Sequence, residues 1–140
     1  MIWKRLVSLN ELNKVFADSL VGHLGMALTQ YGDDFLEAAM PVDTRTRQPF
    51  GLLHGGAAAA LVETLGSIAA YLCTDEKQQV AGLELNISHL QAVKSGRVRG
   101  VCRPLRVGHR HQVWETRIYN QKNELCYIGR LTTTVLPTTP

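Results

Sequence analysis

Twenty consecutive residues, Gly55 to Thr74, carry one charge, Glu63, in a stretch dominated by Ala and Gly. Read as a helix at about 1.5 Å per residue, this segment spans roughly 30 Å. A helix apolar nearly all round has to be wrapped by other elements. Its length also suits a membrane span, but Ala and Gly contribute little to transfer into lipid. A buried helix in a soluble domain, with no membrane partner, is the better reading.

Everything after that helix reads as strand. Ala81, Leu83, Leu85 and Ile87 alternate on one face, which His89 and Gln91 continue; Lys94-Ser95-Gly96 makes a turn. Residues 97–103 form the next strand, with Arg97, Arg99 and Arg103 on one side. Gln112 to Tyr119 and Leu125 to Leu136, joined at Asn120 to Asn123, close the chain as a hairpin. Before the helix, Ser8-Leu-Asn-Glu11 has the form of a capping box opening a short helix over Leu9 to Ala17. Leu24, Met26 and Leu28 then alternate, and after a Gly32-Asp33-Asp34 turn so do Leu36, Ala38, Met40 and Val42. Strands in runs, rather than alternating with helices, predict an antiparallel sheet covering one face of a helix. The fold class expected is α+β, a curved antiparallel sheet wrapped around one long central helix, which is the hotdog architecture.

The 140 residues, 45% of them hydrophobic, suit one domain over 1–140, with a helical segment at 1–20 and a flexible tail at 137–140. A net charge of +3 is too small to imply nucleic acid. The basic residues that cluster, Arg97, Arg99, Arg103, Arg106 and Arg110, suit either a small polyanionic ligand or a solvated sheet face. The N-terminus, Met1-Ile-Trp-Lys-Arg, has no apolar core of signal-peptide length, and Cys73, Cys102 and Cys126 form no CxxC pair. A reducing, cytoplasmic setting is expected.

Chemistry concentrates at two places. Gln48-Pro-Phe-Gly-Leu-Leu-His54-Gly55-Gly56 runs directly into the long helix. A helix start offers unpaired N–H groups and partial positive charge, and glycines let a ligand approach the backbone. Those are the needs of an oxyanion formed in acyl transfer, although a plain Gly-rich helix start reads the same way. Glu63 shares a helix face with Ser67 at i+4, and Tyr71 and Thr74 continue the stripe. A solvent edge would carry several charges; one carboxylate amid alanines favours a half-buried functional Glu, suited to act as base or nucleophile. His89, like His54, reads equally as a structural histidine or an active-site group. No histidine spacing matches a catalytic zinc, and no cofactor is expected.

The string from Gln48 to Gly56, followed by Glu63-Thr-Leu-Gly-Ser67, resembles the hotdog thioesterases of the 4-hydroxybenzoyl-CoA type. The likeness runs from Met1-Ile-Trp-Lys to about Leu136. It implies an acyl-CoA thioesterase acting on aromatic acyl groups, assembled as a homotetramer (a dimer of dimers) with sites between subunits. Glu63 matches the catalytic carboxylate, Gly55 the N–H that polarises the thioester carbonyl, Gln48 and His54 the polar groups flanking it, and Ser67 an assisting hydroxyl. Substrate contacts are implied for Gly82, for His89, Leu90, Gln91 and Ala92, and for Arg106, Val107, Gly108, His109, Arg110 and His111. Ile68, branched and stiff, is expected beside the acyl pocket. It leans the reading to a small bicyclic aryl-CoA over aryl groups on a carrier protein, while Thr44-Arg-Thr46 leans the other way. A dehydratase would pair a His with the acid, and a mere binding module would have no use for a carboxylate beside the carbonyl.

Overall fold

A computed structural model describes residues 1–137. In chain order it contains α1 (Leu9–Phe16), α2 (Leu20–His23), β1 (Ala27–Tyr31), β2 (Leu36–Pro41), α3 (Gly55–Leu72), β3 (Gln78–His89), β4 (Arg97–Val107), β5 (His111–Tyr119) and β6 (Leu125–Pro137). The strands form one antiparallel sheet in the order β1-β2-β4-β5-β6-β3. It packs around α3, which touches β2 through β6. This is the expected hotdog arrangement.

Period-two alternation places the core. Leu36, Ala38 and Met40 point inward from β2; Val98, Gly100 and Cys102 do so from β4, and Trp114, Thr116 and Ile118 from β5. They meet Leu61, Val62 and Leu65 of α3, all fully buried. Burying each large aliphatic side chain contributes about 1.5–3 kcal/mol. Helix and sheet approach closely: a Cβ at Gly129 would sit 2.7 Å from a Val62 methyl, and one at Gly66 would sit 2.6 Å from a Leu131 methyl. By length and composition α3 could cross a membrane, but it is the core helix of this domain and more than half of its residues are buried.

At the N-terminus the capping box is present in both directions, and Ala17 is the C-cap of α1. The strand expected from Leu24 begins at Ala27 instead. Ser19 caps a short α2 that was not anticipated, and Gly25, at φ 74°, turns the chain out of it. Trp3 anchors the leading segment, stacking on Trp114 and donating its indole N–H to the Gly32 carbonyl at 2.6 Å.

Four further expectations change. The long helix stops at Leu72, where Cys73 caps it, and the Thr74 hydroxyl donates to the Tyr71 carbonyl at 2.6 Å. The third strand starts at Gln78 and carries a bulge between Gly82 and Glu84 that reverses its facing. Val80 therefore packs on the core with Leu85 and Ile87, while Leu83, expected to face inward, is 57% exposed. The same strand ends at His89, so Gln91 does not continue its face; Leu90 and Gln91 donate instead to the Cys126 carbonyl. The fourth strand runs on through Pro104 to Val107 with a second bulge, so Arg106 and Val107 are strand residues. Pro137 pairs with Gln78 rather than belonging to a tail; residues 138–140 of that expected tail lie outside the described residues.

Candidate active site

The start of α3 is built by the preceding loop. Arg47 bridges to Leu53, the His54 N–H donates to the Thr46 carbonyl at 2.8 Å, and the Leu53 N–H donates to the Val93 carbonyl at 2.8 Å. Thr46, almost fully buried, donates its hydroxyl to the Pro41 carbonyl at 2.8 Å, which fixes the loop from below. This accounts structurally for the last residue of the Thr44-Arg-Thr46 string. Gln48 sits beside the bridge, and its Oε1 accepts the Phe50 N–H at 2.6 Å. The same oxygen also accepts the Leu52 N–H at 3.4 Å, so the amide oxygen is committed to the loop. His54 is the N-cap of α3, with Nδ1 accepting the Gly56 N–H at 2.7 Å. An Nδ1 that accepts puts the proton of a neutral imidazole on Nε2, so His54 presents an outward donor. The next residue, Gly55, is the first of the helix, and its N–H has no intrahelical acceptor. The His89 ring lies directly against Gly55, where any Cβ would collide with it, and is held edge-on by Tyr127 at 5.3 Å. Two donors of the kind an acyl oxyanion requires, from His54 and Gly55, thus stand at adjacent positions of one helix terminus.

The carboxylate stands elsewhere on the helix. Glu63 is half-buried, and a Cβ at Gly82 would come 2.9 Å from its Oε1. Only a residue without a side chain leaves room for the carboxylate against β3. Among the described residues the Glu63 carboxylate has no ion-pair or hydrogen-bond partner. With Thr64, Ser67, Ile68 and Tyr71 it forms one side of a pocket of about 560 Å³. Eight residues of helix separate Gly55 from Glu63, about 12 Å of rise, so the two cannot hold the same carbonyl within one protomer.

The remaining expected contacts fall into two places. Residues His89 to Ala92 lie beside the helix start, with Leu90 exposed and Gln91 reaching Glu124 at 3.4 Å. Arg106 to His111 form the β4–β5 hairpin, closed by the Gly108 N–H donating to the His111 carbonyl at 2.9 Å. Gly82 and Val107 share one level of the sheet, three strand spacings or about 14 Å apart. The arginine face divides. Arg99 pairs with Glu37 at 3.4 Å and Arg103 with Asp34 at 3.1 Å, each over an aromatic ring. These two are a solvated sheet face. Among the described residues Arg106 and Arg110 form no ion pair. Burial pushes the Cys73 thiol up to about 11 and the Cys102 thiol up to about 12. Both stay protonated at neutral pH and offer no thiolate nucleophile.

Sequence reasoning missed the far side of the 560 Å³ pocket, which Val7, Leu12, Val15, Phe16 and Val21 supply. The signal was available in α1, where Leu12, Val15 and Phe16 are spaced to share one helix face. It also missed Arg5, which donates to the Thr74 and Gln78 carbonyls and to the Tyr71 hydroxyl at 2.8 Å, tying the N-terminus to the end of α3.

Comparison with known proteins points to one family. Residues 50–127 match the Thioesterase superfamily. The chain is 54% identical to the 1,4-dihydroxy-2-naphthoyl-CoA hydrolase of Escherichia coli over 136 residues, covering 97% of this chain and 100% of that one. It is 56% identical to the proofreading thioesterase EntH of Cronobacter turicensis, over 97% of this chain and 99% of the other. Among solved structures, a thioesterase from Haemophilus influenzae superposes with a TM-score of 0.98 at 44% identity, covering 100% of this chain and 98% of its own.

Proposed function

The chain belongs to the thioesterase superfamily and is a thioester hydrolase, and we propose that its substrates are aromatic acyl-CoA thioesters, foremost 1,4-dihydroxy-2-naphthoyl-CoA in menaquinone synthesis. The observation that carries this reading is the unpaired, half-buried Glu63 carboxylate on the rim of a largely apolar pocket. Such a pocket takes a flat apolar acyl group and leaves the thioester at its polar edge.

In the proposed reaction the thioester carbonyl lies at the start of α3, where the Gly55 N–H, Gln48 Nε2 and His54 Nε2 receive the developing oxyanion. Glu63 of the partner subunit adds to the carbonyl, or takes a proton from the water that does, with Ser67 Oγ positioning the attacking oxygen. The tetrahedral adduct collapses by expelling CoA as its thiolate, which takes up a proton. If Glu63 has added, water then cleaves the resulting anhydride and restores the carboxylate. The thiolate is a good enough leaving group that this chemistry needs no cofactor. His89, Leu90, Gln91 and Ala92 flank the substrate beside Gly55, and Arg106 to His111 take the CoA phosphates.

The roughly 12 Å between Gly55 and Glu63 favours an active site shared by two subunits. So does β3, a twelve-residue strand at the sheet edge with Leu83 exposed upon it, since an unpaired edge is a template for a second chain. A homotetramer in the cytoplasm, a dimer of dimers, completes the proposal.

A second reading has its own support in the 56% identity to a proofreading thioesterase. There the chain releases misloaded acyl groups from a carrier protein in enterobactin synthesis. One screen separates the readings: kcat/KM by thiol release for 1,4-dihydroxy-2-naphthoyl-CoA, for an aliphatic acyl-CoA and for a 2,3-dihydroxybenzoyl carrier protein. The first should win by about tenfold, with overlapping activities, because one pocket side chain such as Ile68 discriminates by only about 1–3 kcal/mol. A win for the carrier protein selects the second reading; no thiol from any of the three rejects both.

A further inference from the structure

We infer that α1 and α2 form a fixed outer wall of the acyl pocket, and that Val15 and Phe16 on that wall set the size of the acyl group the enzyme accepts. The inference rests on the thioesterase reading and adds to it a specificity element outside the segments from which that reading was built.

The wall is defined by where the N-terminal helices attach. Helix α1 packs on β1 and α2, and α2 touches α3. The gap left between α1 and α3 is the 560 Å³ pocket. Val7, Leu12, Val15, Phe16 and Val21 line one side of it, facing Glu63 and Ser67 on the other. Leu12 and Phe16 stand at i and i+4 and Val15 at i+3, so one turn of α1 presents them together. Every wall side chain is apolar and the carboxylate sits opposite, so the occupant that fits is the acyl half of a thioester whose carbonyl reaches Glu63. Its CoA half, charged and long, finds no complement there.

The wall is rigid. The Asn13 side chain grips β1 at Leu28 from both directions, Nδ2 donating to the carbonyl at 3.0 Å and Oδ1 accepting the N–H at 2.8 Å. Upstream, Trp3 and Arg5 tie the leading segment to the sheet and to the end of α3. A wall held at these points cannot swing away from a large substrate, so its side chains set the limit. Val15 stands at the mouth, 73% exposed, where its replacement disturbs no packing.

The test compares kcat/KM for a bicyclic aryl-CoA with that for a short straight-chain acyl-CoA in wild type, Val15→Trp, Phe16→Ala and Lys14→Trp. Lys14 is an exposed neighbour on α1 outside the pocket lining, so it adds the same bulk without narrowing the pocket. Val15→Trp should lower the bicyclic-to-short ratio by at least about tenfold, the scale of pocket-size discrimination. Phe16→Ala should shift the ratio the other way, and Lys14→Trp should leave it within about twofold of wild type. A Val15→Trp ratio within twofold of wild type, or an equal shift from Lys14→Trp, overturns the inference while leaving the thioesterase reading intact. A wild type that cleaves neither thioester overturns both. Should Phe16→Ala fail to fold, the exposed Val15 site still decides.

Discussion

At the residue scale the site depends as much on what is missing as on what is present. Glu63 rests where Gly82 has no side chain, with its Oε1 2.9 Å from the place a Cβ would occupy. A methyl there meets the free end of a flexible side chain, so it displaces the carboxylate rather than the backbone. Gly82→Ala should therefore keep or slightly raise the Tm, since Ala is favoured over Gly within a strand by about 0.5–1 kcal/mol. Its kcat should nevertheless fall by about tenfold or more, because small misplacements of a reacting group are costly. Thermal melts beside steady-state thiol release check this; an unchanged kcat would show that Gly82 does not position Glu63. The sequence singled out Glu63 as the candidate because a lone charge in an apolar helix is hard to explain otherwise. It could not show that Gly82 lies beneath that carboxylate, since the pairing spans nineteen positions and depends on a bulge. Nor could it separate Arg99 and Arg103, held by Glu37 and Asp34, from Arg106 and Arg110. Their partners come from β2 and the turn before it.

At the element scale, long strongly patterned segments were readable and short or irregular ones were not. Helix α3 and strands β2, β5 and β6 follow from periodicity, with ends displaced by at most two residues. The bulges in β3 and β4 were invisible, because an inserted residue leaves composition unchanged while reversing the facing of all that follows. Helix α2 is four residues long, too short for periodicity to register. The capping box located α1, and its apolar face, Leu12, Val15 and Phe16, was there to be read, but the sequence did not show that this face lies across an open pocket from α3. Besides the buried Leu12, α1 is held by the Asn13 side chain gripping β1. Asn13→Ala leaves a part-buried N–H and carbonyl of Leu28 without that side chain, at about 1–3 kcal/mol for an unmet donor. It should lower the Tm by several degrees and speed amide exchange in α1 ahead of α3. Equal exchange in both helices would mean that α1 is not held independently through Asn13.

At the scale of the whole molecule, the proposed reaction asks the central helix for two jobs at two heights. Its N-terminus supplies donors and its middle supplies a carboxylate, about 12 Å apart along the axis. A single chain cannot bring both to one thioester, and β3 leaves an edge for a second copy. Complementation tests this: Gln48→Ala and Glu63→Ala, each nearly inactive, are unfolded together and refolded as a mixture. Random pairing in a two-fold dimer gives intact composite sites at about a quarter of the total, so about a quarter of wild-type activity should return. A mixture no more active than its components would place Gln48 and Glu63 in the same subunit's site. Beneath every other expectation is the identity of the carboxylate, and the most direct measurement is steady-state thiol release by Glu63→Ala. The pocket, the donors and the fold remain in that variant, so KM should change little while kcat falls by about 10³-fold or more, as expected when a group acting only in the transition state is removed. A folded Glu63→Ala enzyme with kcat within a few-fold of wild type would contradict the account.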